Sequence, residues 1–205
     1  MKNSIKYLTA AAVALGLNGV AFATPALELL SGASANTVTI QDNGAGDLNS
    51  ASGAIAWLGT INGWTVTITS GATKPIQGST VSPNMDLDVQ ATGGSGLLTV
   101  MFTDTDFGPT SGLIFNPGSN VGTSTATAAA YYSTGNGQFV TTGGTIPTSL
   151  LLANPYSITI VDTFTAPGTV SLDDRVTAAP DGGSTVMLLG AALSTVGLLR
   201  KKLTT

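Results

Sequence analysis

Between residues 37 and 176 the chain alternates apolar and hydroxyl-bearing positions in short runs, broken every eight to twelve residues by Gly, Asn or Pro. A period of two with regular breaks predicts short antiparallel strands assembled into an all-β sandwich or barrel. Strands are expected over 37–41, 54–61, 64–69, 86–92, 97–103, 112–115, 124–132, 138–142, 149–153, 156–164 and 169–172. Threonine is the commonest polar residue, and β-branching at Cβ favours extended backbone over helix. No stretch between the two ends has a helical period. The expected fold class is all-β, a single jelly-roll-like β-sandwich over residues 24–176.

One hairpin is legible in register. Asn62-Gly63 lies between two alternating runs, and both central positions of a type I′ turn need positive φ, which Asn and Gly supply. Pairing from that turn sets Ile61 opposite Trp64, Gly59 opposite Val66 and Trp57 opposite Ile68. With Ile55, these residues share one apolar face, while Thr60, Thr65, Thr67 and Thr69 share the other. The two tryptophans are therefore expected in the core rather than on an exposed sugar-stacking platform. At Tyr131-Tyr132 adjacent residues face opposite ways. Tyr132 keeps the parity of Ala126, Ala128 and Ala130 and is expected inward, leaving Tyr131 as the candidate ligand contact.

The alternation stops at both ends. Residues 1–23 carry Lys2 and Lys6, an apolar run from Leu8 to Leu17, and then Ala21-Phe22-Ala23. This is the order of a secretory signal, with cleavage expected after Ala23 and the small residues Ala21 and Ala23 as its recognition positions. The apolar run falls short of the roughly 20 residues needed to span a bilayer. Export through the Sec translocon and cleavage by signal peptidase follow as expectations.

Residues 24–176 hold only two cations, Lys74 and Arg175, against ten acids, a formal charge of −8. Such a surface repels phosphate backbones, so no nucleic-acid partner is expected. The chain has neither Cys nor His. Disulfides, a Ser-His-Asp triad, a thiolate nucleophile and the usual zinc sites are thereby removed. Carboxylate pairs, a Ser-Lys pair or oxygen-ligated calcium remain. Glu28 is the one glutamate, no aspartate pair stands out as a glycosidase couple, and Lys74 lacks a Ser-x-x-Lys context. No enzymatic activity is expected.

Asp86 and Asp88 alternate with Leu87 and Val89 and should share a solvated outer face. Asp104 and Asp106 are the sharper candidates. Leu98, Val100 and Phe102 set the inward parity, so a continued strand would bury both acids. The strand is expected to end or bulge near Thr103, leaving Asp104 and Asp106 on a loop able to ligate calcium. No other cofactor is expected. Asp173-Asp174-Arg175 reads as a hydrophilic exit from the last strand.

The C-terminal segment, 177–205, has three parts. Pro180, Asp181, Gly182 and Gly183 form a helix-hostile entry, residues 184–199 form an uncharged apolar stretch, and Arg200, Lys201 and Lys202 make a basic stop. A helix over 184–199 rises about 24 Å, marginal against a hydrocarbon core of about 30 Å. Its basic end should stay cytoplasmic, placing the β region outside. Pro180 to Thr185, followed by the apolar helix and basic cluster, closely resembles the PEP-CTERM class of sorting signals, in the variant written Val-Pro-Asp-Ser/Gly-Gly. Ala179 stands where that variant usually has Val. The resemblance covers about 26 residues. It implies a Gram-negative host and an exosortase as processing partner, with catalysis belonging to that enzyme and Pro180 to Gly183 serving as its recognition site. The precursor is expected in the inner membrane transiently, and the mature protein at the cell surface or in an exopolysaccharide matrix. Its expected role is structural or adhesive, the alternative being a carbohydrate-binding module assisted by calcium.

Overall fold

A computed structural model describes residues 24–32, 36–146, 155–165, 167–179, 186 and 188–194. The signal segment with Ala21 and Ala23, the motif Pro180 to Gly183, and Arg200 to Lys202 lie outside the described residues, as does the strand expected over 149–153.

Eleven strands are described: β1 (Ala26–Ser31), β2 (Asn36–Gln41), β3 (Ala54–Ile61), β4 (Trp64–Ala72), β5 (Asn84–Gly93), β6 (Leu97–Phe107), β7 (Leu113–Asn116), β8 (Val121–Gly122), β9 (Thr125–Ser133), β10 (Tyr156–Thr165) and β11 (Gly168–Ala178). They form two antiparallel sheets. The first has the order β2-β1-β6-β10-β9; the second has the order β3-β4-β5-β11-β7, with β8 also paired to β11. One cluster of buried apolar side chains draws on both, including Leu27, Phe102, Ile160 and Phe164 from the first and Trp64, Val66, Leu87 and Val176 from the second. Residues 188–194 are helical, and among the described residues no helix is long and apolar enough to cross a membrane.

The β3–β4 hairpin has the expected register, with Ile61 opposite Trp64, Gly59 opposite Val66 and Trp57 opposite Ile68. Asn62 and Gly63 both take positive φ, 46° and 79°. Trp64 is fully buried, its indole lying on Gly94, where an added Cβ would come within 2.1 Å of the ring. Trp57 is on the same face but only half-buried, because β3 is an edge strand, and its ring folds back over Gly59. A bulge at Thr69-Ser70 shifts the pairing of β4 to both neighbours, so that Gly71 takes the inward parity opposite Ile55.

Three expectations are corrected and one strand is added. First, of the expected end or bulge near Thr103, β6 shows the bulge, two residues on at Thr105-Asp106 with Asp106 at φ 58°, but it runs on to Phe107 and keeps Asp104 buried within the strand instead of on a loop. Second, β11 does not stop at Leu172. It continues through Asp173-Asp174-Arg175 because these alternate, with Asp174 buried and its neighbours exposed. Third, residues 138–142 form turns instead of a strand. Phe139 takes φ 55° and its N–H donates to Thr103 Oγ1, while Gly137 O accepts from Ser157 Oγ, so this segment covers the outward face of β6 and β10. That cover explains why Thr103, Ser157 and Thr159 are buried although they face away from the core. The added strand, β1, was not foreseen. Its run Ala-Leu-Glu-Leu-Leu-Ser begins at residue 26 and fills the slot between β2 and β6.

Candidate functional site

The most concentrated chemistry lies where β4 gives way to Thr73-Lys74-Pro75, joined by a cis Lys74-Pro75 peptide. Thr73 N–H donates to Gly53 O, which holds this turn against the β2–β3 loop. The turn directs Lys74 inward toward β6. Its ammonium donates to Asp104 Oδ2 at 2.7 Å and to the carbonyl of Thr105, and it lies over the Phe107 ring, 3.9 Å from the centroid. Phe107 in turn packs against Tyr156 at 5.7 Å between centroids. Lys74 is 4% exposed and Asp104 is 0% exposed, so the ion pair is dry.

Asp104 has no unmet acceptor. Oδ2 also takes the Thr73 hydroxyl at 2.8 Å, and Oδ1 takes the Thr105 N–H at 2.8 Å. Burial still pushes its carboxyl above the ordinary carboxylate range, outweighing the Lys74 charge and these hydrogen bonds, which pull the other way. Lys74 points its charge into the protein and spends its donors there. The arrangement pins a turn to a strand.

Asp106 is separated from Asp104 by the bulge. It is exposed, its N–H donates to Asn136 Oδ1 at 2.8 Å, and its carboxylate accepts from Asn136 Nδ2. The two acids thus face different partners on different sides of the strand and do not converge on a common point, as a shared calcium would require. Among the described residues no three acids gather into a metal-binding group.

A hollow of about 380 Å³ opens beside the Lys74-Pro75 step, between Thr24, Asp42, Asn43 and Ser52. Its acid is already occupied: Asp42 Oδ2 accepts from Gly53 N–H at 2.9 Å and Oδ1 from Asn43 Nδ2 at 3.1 Å. Nearby Asp47 accepts the N–H groups of Asn43, Asn49 and Ala56. Both acids lace the β2–β3 loop together.

Tyr131 is half-buried rather than freely presented, paired with Thr159 of β10 and bridged on its other side to Thr145. Tyr132 packs against the core as its parity requires. The outward face of the second sheet is more open. There the pairings align Thr60, Thr65, Thr92 and Thr169 in one rank across four strands, all exposed. The next rank is Leu58, Thr67, Gln90 and Ser171, with Leu58 61% exposed. Further along, Asp86, Asp88 and Asp173 gather on the same face near Arg175. Burial first, and the charge of Asp173 next, push Asp86 above the usual carboxylate range.

Two buried features escaped the sequence analysis. One is the Lys74–Asp104 pair. Its signal was available: Asp104 keeps the inward parity of Leu98, Val100 and Phe102, and Lys74 is one of two cations able to answer it. The other is a pair of core acids, Asp162 of β10 and Asp174 of β11, each on the parity of the apolar residues around it. No protein-family model matches the chain, and no curated protein matches it at a significant level.

Proposed function

We propose that this chain is an exported structural or adhesive protein of the cell surface or extracellular matrix, with one jelly-roll-like β-sandwich delivered by a sorting tail that an exosortase cuts. The observation that carries the reading is the tail itself: Pro180-Asp181-Gly182-Gly183, an apolar stretch too short to be a comfortable permanent anchor, and Arg200-Lys201-Lys202 in that order. An uncommitted anchor requires neither the Pro-Asp-Gly-Gly entry nor so short a span. The body is consistent with such a role. Several of its acids lace loops, form the internal ion pair or lie in the core, and its open sheet face offers ranks of neutral hydroxyls beside the acids Asp86, Asp88 and Asp173, suited to multiple weak contacts with a polyhydroxylated matrix.

The test is an intact-mass measurement on the protein recovered from the envelope or medium of an exosortase-bearing host. The expected species begins at Thr24 and lacks everything after the Pro180 to Gly183 motif. A mature species still carrying Arg200 to Thr205 would defeat the sorting reading, and one still carrying Met1 to Ala23 would defeat the export reading.

A further inference from the structure

We propose that Asp162 and Asp174 hold a single proton between them as a carboxylic acid–carboxylate pair that pins the two sheets together, and that losing this proton to solvent as pH rises releases the pin. Asp162 lies on β10 in the first sheet and Asp174 on β11 in the second, both 0% exposed and within hydrogen-bonding reach of each other. Both oxygens of Asp162 and Oδ2 of Asp174 have no other hydrogen-bond partner, while Asp174 Oδ1 accepts the Gly118 N–H at 2.6 Å. Two ionised carboxylates in this position would leave three buried acceptors facing one another with no donor. One proton placed between them converts a repulsion into a charge-assisted hydrogen bond.

Among the described residues, the strands flanking the pair offer no cation to neutralise it. Beside Asp162 the flanking strands β6 and β9 present Val100 and Ala128, and beside Asp174 strand β5 presents Leu87. Asp173 and Arg175 point to the opposite face of β11, where Asp86 and Asp88 also lie. Lys74 is committed to Asp104. Burial, then the hydrogen bond and charge of Asp174, raise Asp162 well above its ordinary value. A carboxyl raised on folding contributes stability that is fully present below its unfolded value of about 3.9 and is lost as pH climbs through the folded value. This pair therefore lowers the stability of the protein as pH rises above that unfolded value.

The experiment uses the full chain, its Asp162→Asn and Asp174→Asn variants, and Asp173→Asn as an exposed control. Urea midpoints are followed from mildly acidic to alkaline pH, alongside infrared spectra of the carboxyl region at neutral pH. A protonated-carboxyl band should be present in the wild type and the control and lost from both core variants. The wild-type midpoint should fall as pH rises, and that fall should disappear in either core variant, because one amide supplies the donor permanently. Absence of the band from the wild type, or identical pH dependence in all four proteins, would overturn the proposal. So would a rise in midpoint on adding calcium that Asp162→Asn abolishes, since a cation would then occupy the place given to the proton. Should a core variant fail to fold, the wild-type spectrum still decides.

Discussion

Lys74 and Asp104 show how a single residue's surroundings decide its meaning. An aspartate on the inward parity of a strand is costly unless a partner meets it, and here the partner arrives from a turn some thirty residues earlier. Removing one member of a buried pair strands the other's charge, at a cost of about 3–5 kcal/mol, whereas replacing both with apolar groups is often close to neutral. Lys74→Met should therefore lower stability by about that amount in urea denaturation, and Lys74→Met combined with Asp104→Leu should recover most of it. The two tryptophans differ in the same way. Trp64→Ala, at a fully buried site, should cost about 3–5 kcal/mol, and Trp57→Ala, on an edge strand and half-buried, clearly less by the same measurement.

At the scale of elements, alternation was a good guide wherever a strand has one wet face. It located β3, β5, β9 and β10 to within two residues at each end, and the Asn62-Gly63 turn fixed a whole hairpin. It failed at two of the three acids that sit on the inward parity, although Asp162 inside β10 did not hide that strand. Reading Asp104 and Asp174 as strand exits truncated β6 and β11, since their compensating groups lie far away in sequence. It failed too over 138–142, where an alternating run covers a sheet instead of joining it. The bulge in β6 gives a direct check on this reading. Asp106 occupies a left-handed backbone position that costs a residue with Cβ about 1–2 kcal/mol, eased for Asp by its short polar side chain. Asp106→Gly should leave the urea midpoint nearly unchanged, and Asp106→Val should lower it.

At the scale of the whole molecule, the strand orders impose late assembly. β1 has as its neighbour β6, pairing Leu27 with Phe102, and β11 joins β5 to β7 only near the end of the domain. β2, β3, β4 and β9 pair only with their neighbours in sequence, whereas the β1–β6, β6–β10, β5–β11 and β7–β11 pairings wait for distant partners, and such non-local pairings slow folding. What the chain's acids do could be seen only at this scale. Ten carboxylates looked like a uniformly repulsive surface, yet three of them, Asp104, Asp162 and Asp174, are wholly internal.

The close of β11 has a mechanical meaning for the proposed processing. Ala178 N–H is bonded to Pro83 O and Ala179 N–H to Gly112 O, so the folded body holds the chain up to the residue immediately before Pro180. A protease directed at Pro180 to Gly183 would have no length of tether to work with. It would have to accept the body's own end as part of its docking surface, or act before β11 has settled into its sheet. The order of folding and cutting then becomes a timing device, with the last strand setting how long the site stays within reach.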